Sequence, residues 1–111
     1  MKHVIRPAAK DDILRQFRYY VLEDGPDAAM RFLDAVDQSI GAICAMPQIG
    51  APKHLRNPAL SGLRFWAVKD FEDMLIFYIV QPEALRVVRV LHGKRDIRKI
   101  LEREKDDEAP N

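Results

Sequence analysis

Apolar residues return every three or four positions through Ala29, Phe32, Leu33, Val36, Ile40 and Ile43, the stripe of a helix with one buried face. A looser version runs through Ile13, Leu14, Phe17 and Val21, with Lys10, Arg15, Gln16 and Arg18 on the other side. This first helix is expected to open near Ala8, with Asp11 and Asp12 in its first turn, where the helix dipole favours acids. It should stop at Asp24-Gly25-Pro26. Gly25 suits a left-handed cap, and Pro26 can begin a new helix. Pro47 ends the second helix, and so short a connection predicts an antiparallel helical hairpin.

Outside the hairpin the periodicity changes. His3-Val4-Ile5-Arg6 is a short β-prone segment ended by Pro7, which lacks a ladder donor. Pro47, Gly50, Pro52 and Pro58 mark a surface loop running to Ser61. Strands are predicted at Leu63–Val68, Met74–Val80 and Leu85–Leu91, with turns at Lys69–Asp73 and Gln81-Pro82-Glu83. Their short connections favour an antiparallel meander. Met74–Val80 is apolar on both faces, as in a central strand covered on each side. After Gly93, Ile97, Ile100 and Leu101 give a short amphipathic helix. The order β-α-α-β-β-β-α predicts an α+β fold: an N-terminal strand and an α-helical hairpin packed on a three- to four-stranded antiparallel sheet, closed by a short C-terminal helix. One domain is expected over residues 1–105, followed by a flexible acidic tail at 106–111.

A chain of 111 residues, 48% hydrophobic and 32% charged, can bury a core without staples. Its single cysteine, Cys44, excludes an internal disulfide. The run Met74–Val80 is too short to span a bilayer and no signal peptide opens the chain, so a cytoplasmic location is expected. The net charge of +1 is unevenly spread. Acidic residues dominate between Asp11 and Asp37, whereas Lys53 to Lys99 holds ten Lys/Arg against five Asp/Glu.

Catalytic chemistry is sparse. The chain has no threonine, and its serines are Ser39 and Ser61. Neither these nor Cys44 has a histidine nearby in sequence to act as its base. His3, His54 and His92 are scattered without zinc-like spacing, and the glycines form no phosphate loop. No catalytic residue, metal or cofactor is therefore expected. Two features point instead to macromolecular binding. Leu63, Phe65, Trp66 and Phe71 add large apolar surface beside a small sheet, which marks a partner site if it stays open. Val88 to Asp96 runs from a strand into a basic corner, where Gly93 permits a sharp turn and Asp96 can cap the next helix. Lys94 and Arg95 at that corner suit phosphates or acidic side chains.

Several motifs then occur in a telling order: Ala9-Lys10-Asp11-Asp12-Ile13, Ala28 or Ala29 before Phe32-Leu33, Pro47-Gln48-Ile49-Gly50, Leu63-Arg64, Ile76-Phe77-Tyr78, and Val90-Leu91-His92-Gly93-Lys94-Arg95-Asp96. In this order the chain resembles the ParE branch of the RelE/ParE toxin superfamily over about residues 3 to 101. The resemblance implies the toxin of a type II toxin–antitoxin module, acting on DNA gyrase by binding and neutralised by a ParD-like antitoxin. It also implies an assembly of two toxins with two or more antitoxins, touching operator DNA only through the antitoxin. Leu63, Phe65, Trp66 and Phe71 become candidate antitoxin contacts; Arg64, Arg89, His92, Lys94 and Arg95 become target or antitoxin contacts.

RelE-type members are ribosome-dependent mRNA endonucleases, and this is the alternative activity, with Arg64, Lys94 and Arg95 as a reorganised basic site. By motif alignment, however, two of the RelE catalytic positions fall on Leu75 and Leu101. Leucine neither moves a proton nor stabilises a phosphorane. The resemblance therefore implies a toxin that is not an enzyme. A non-toxic binding module is the third possibility.

Overall fold

The stripe on the second helix folds as read: α2 (Pro26–Ala45) buries Ala29, Phe32, Val36, Ile40 and Ile43. A computed structural model describes residues 1–105, so the acidic tail lies outside the described residues. The remaining elements are β1 (His3–Ile5), α1 (Pro7–Asp24), β2 (Ala51–Pro52), a 3-10 turn (Pro58–Leu60), β3 (Arg64–Val68), β4 (Phe71–Val80), β5 (Leu85–His92) and α3 (Ile97–Glu102).

The α+β architecture and the meander are present, and the sheet is larger than expected. Its five strands run in the order β1-β5-β4-β3-β2. It is mixed rather than antiparallel, because β1 lies parallel to β5, with His3 opposite Leu85 and Ile5 opposite Val87. The long connection that a parallel pair needs runs through residues 6–84, the helical hairpin followed by β2, β3 and β4. Backbone bonds from Arg6 N to Val87 O (3.0 Å) and from Leu85 N to Lys2 O (2.8 Å) extend this seam. β2 is the fifth strand, a two-residue patch on the far edge paired with Arg64 and Phe65.

β4 is buried on both faces. Met74, Ile76 and Tyr78 pack under the hairpin with Phe32, Val36, Ile40 and Ile43. Phe77 points the other way, into a second cluster with Leu60, Leu63, Val88, Leu91 and Leu101. Leu101 is fully buried and fixes α3 as the lid of that cluster. Burying such a side chain contributes roughly 1.5–3 kcal/mol.

Three local readings change. β4 begins at Phe71, so Phe71 is a strand residue and only Lys69 and Asp70 turn the chain. Asp70 takes φ 66° there, a left-handed conformation that aspartate tolerates. Helix α1 begins at Pro7, which puts Asp11 and Asp12 beyond the first turn. Its buried residues are Ala9 and Asp12, while Leu14 is 46% exposed. The helical face against the sheet thus carries a carboxylate where an aliphatic residue was expected.

The proline-rich loop after α2 is anchored by one phenol. Tyr78 Oη donates to Pro47 O (2.8 Å) and accepts from Gly50 N (2.8 Å). A Cβ at position 50 would meet Phe65 O at 2.7 Å as well as the Tyr78 ring, so the approach of Gly50 requires glycine. Burial raises the Tyr78 pKa above its usual 10.0, against the opposing pull of the Gly50 N–H and the Arg64 charge.

Candidate functional site

β2 covers only the first two residues of β3. Past Phe65, the outer edge at Trp66, Ala67 and Val68 has no neighbouring strand among the described residues. Such an edge presents unpaired backbone groups that another chain can complete. Lys69 N closes its end by donating to Ser39 Oγ on α2 (3.0 Å). Between this edge and α2 lies a cavity of about 490 Å³, lined by Gln38, Ser39, Ala42, Trp66, Ala67, Val68, Lys69 and Glu72. The groove exists because α2 presents Ala42 there, leaving the half-buried Trp66 ring uncovered along one side.

A second cavity, about 690 Å³, adjoins it through Glu72. Tyr19, Tyr20 and Phe71 form its apolar wall and Asp24, Asp70, Glu72 and Asp73 its acidic one, with His92 also lining it. The rings are mutually braced: Phe71 meets Tyr20 at 5.3 Å and Phe32 at 5.4 Å, both edge to face, a favoured aromatic geometry.

The predicted contact residues separate on this frame. Trp66 and Phe71 line the two cavities. Phe65 faces the opposite side of the sheet, against Phe77 at 5.8 Å, because neighbouring strand residues alternate faces. Leu63 is only 1% exposed and fills the core beneath α3, which leaves it no surface for a partner. Arg64 reaches back to the proline-rich loop, donating to Gly50 O (2.6 Å) and Gln48 Oε1 (2.6 Å). His92 Nδ1 accepts from Lys94 N (3.1 Å) and shapes the corner itself. Lys94 and Arg95 are exposed.

Arg89 is committed inside the molecule. Its Nε and Nη2 donate to both oxygens of Asp12 (2.6 and 2.7 Å), and its Nη1 donates to Glu104. Asp12 also accepts from Val90 N (3.0 Å), and Arg6 Nη2 lies 3.6 Å from Glu104 and donates to Lys105 O (2.6 Å). Bonding to Asp12 raises the already high Arg89 pKa further, against the cost of desolvation. Arg89 thus acts as an internal brace rather than a target or antitoxin contact.

The sequence reading did not single out Glu104, Arg6, Asn57 or Tyr78 for these roles. Asn57 Nδ2 donates to Leu101 O (2.9 Å) and Glu104 O (2.7 Å), while its backbone N–H donates to Glu102 (2.8 Å). Among the described residues, no three His, Cys, Asp or Glu side chains converge to hold a metal ion, and no helix is long and apolar enough to cross a membrane.

The family model of the ParE toxin of type II toxin–antitoxin systems, parDE, matches residues 4–97. The chain belongs to the ParE toxin family. A solved structure described as the chromosomal ParDE TA system from P. aeruginosa shares the fold, with a TM-score of 0.68 and 16% identity over 83% of this chain and 95% of that one. No curated protein sequence matches. Within the ParE frame, several of the ordered motifs acquire structural reasons. Pro47 to Gly50 wraps the Tyr78 hydroxyl, the Ala-x-x-Asp segment delivers Asp12 to Arg89, and Asp96 caps α3 by accepting from Lys99 N (3.3 Å).

Proposed function

We propose that this ParE toxin is held inactive by a ParD-like antitoxin docked along the open edge of β3 and, when free, inhibits DNA gyrase by binding it rather than by catalysis. The observation that carries the docking reading is the unpaired edge at Trp66–Val68 beside the groove at Ala42. An extended antitoxin segment laid on that edge would gain main-chain hydrogen bonds, with alternate side chains entering the groove. The neighbouring acidic, aromatic cavity suits a lysine or arginine of the same segment, whose stem packs on Tyr20 and Phe71 while its charge meets Asp24 or Glu72. Family membership supports gyrase as the target. Binding without turnover is supported by Leu75 and the fully buried Leu101 at positions where RelE-type cleavage needs polar groups.

The test pairs one variant with two readouts. Ala42→Trp fills the groove from an exposed helix position. It is expected to weaken binding of a ParD-like antitoxin at least about tenfold, roughly 1.4 kcal/mol, while gyrase supercoiling stays as sensitive to the toxin as before. Unchanged antitoxin affinity would remove the groove from the interface. Full supercoiling at excess wild-type toxin, together with ribosome-dependent mRNA cuts, would replace the gyrase reading with the endonuclease one.

A further inference from the structure

The corner joining β5 to α3 concentrates positive charge away from the groove. Lys94, Arg95, Lys99 and Arg103 are all exposed, and the last three line one cavity of about 390 Å³ with Arg89, Asp96, Ile100 and Glu104. Residues four apart lie one above another along a helix with a 5.4 Å pitch. Lys99 and Arg103 therefore share one face of α3 and its C-cap, and Arg95 and Lys94, in the turn before Asp96, extend them into a basic patch.

Among the described residues, the carboxylates around this patch already accept hydrogen bonds or face other cations. Glu104 is bound by Arg89 and lies beside Arg6, and Asp12 is bound by Arg89. Glu102 takes the Asn57 and Arg56 N–H groups with Arg98 beside it, and Asp96 accepts the Lys99 N–H. Among the described residues, Lys94, Arg95, Lys99 and Arg103 form no ion pair. The support beneath them is firm, since Leu101 is fully buried and Asn57 clasps the end of α3.

We propose that this basic patch binds the phosphodiester backbone of nucleic acid without reading bases. Exposed cations gathered around one cavity suit successive phosphates, which need no apolar anchor. A protein partner would centre on buried aromatic or aliphatic anchors, and among the described residues Ile100 is the one apolar residue lining the cavity. The site is separate from the antitoxin groove and from any operator contact made through the antitoxin.

The full chain, without antitoxin, would be titrated into a labelled 20-base-pair DNA duplex and, separately, a single-stranded RNA of equal length at 50 to 200 mM KCl. Three phosphate contacts on duplex DNA predict a log–log salt slope of about −2.7, a loss of about 40-fold over that range. Removing one cation with Arg95→Gln, Lys99→Gln or Arg103→Gln should bring the slope to about −1.8. The triple variant should abolish binding, with its thermal melt unchanged because all three positions are exposed. Arg98→Gln, whose guanidinium already faces Glu102, should bind like wild type. Binding to both nucleic acids supports recognition by charge alone, and binding to one of them identifies the source of the phosphates. No binding at 50 mM salt, a flat wild-type slope, or a triple variant that binds normally would overturn the proposal.

Discussion

Replacing Asp12 with alanine removes an acceptor that holds two Arg89 nitrogens and the Val90 amide. The Asp12 side chain is 2% exposed and that of Arg89 15%, so little water can reach the groups left behind. Breaking a buried pair by deleting one partner typically costs 3–5 kcal/mol. Here the low end applies, about 3 kcal/mol, because Glu104 still faces Arg89 and part of the guanidinium meets solvent. For a domain of this size that corresponds to roughly 12 °C in Tm. Urea titrations followed by Trp66 fluorescence and far-UV circular dichroism would measure it in a cycle of Asp12→Ala, Arg89→Met and the double variant. The single losses should exceed what the double variant adds to either, with a coupling of about 2 kcal/mol, since the second deletion removes an already stranded group. Losses that simply add would show that Asp12 and Arg89 stabilise the fold independently and would refute the brace.

Two further perturbations probe the anchors of the loops. Tyr78→Phe deletes a buried hydroxyl that both donates and accepts, leaving Pro47 O and Gly50 N without it, and should cost about 1–3 kcal/mol by denaturation. The same phenol has its pKa raised by burial, so the stability it protects is complete below pH 10, the unfolded value, and is lost as pH climbs beyond it. Urea midpoints measured upward from pH 9 should therefore fall more steeply for wild type than for Tyr78→Phe, and parallel curves would contradict the assignment. Asn57→Ala opens the clasp on α3, and amide exchange at residues 101–105 should quicken while β5 stays protected, a contrast readable by hydrogen-exchange mass spectrometry.

The parts of the fold legible in the sequence are those with a local period. The α2 stripe, the Gly25-Pro26 joint and the two-sided β4 follow from neighbours in the chain. The parallel β1–β5 seam carried no such signal, because a three-residue strand cannot announce a partner some eighty positions away. The two-residue β2 is likewise defined only by what it pairs with. Asp12 misled for a related reason: a carboxylate early in a helix reads as a dipole partner until Arg89, 77 residues on, arrives beside it. Among the site candidates, Trp66 and Phe71 line the two cavities. Leu63 and Arg89 showed that apolarity and charge alone do not distinguish an outward residue from one committed within.

The braces among Arg6, Asp12, Arg89 and Glu104 also set the order in which the molecule is completed during synthesis. The N-terminal segment supplies one anion and one cation long before their partners at 89 and 104 leave the ribosome. Burying Asp12 in its native site must wait for Arg89, and seating the end of α3 must wait for Glu104. The hairpin can form early, whereas its docking through Asp12 and the seating of α3 are completed only once Arg89 and Glu104 have both emerged.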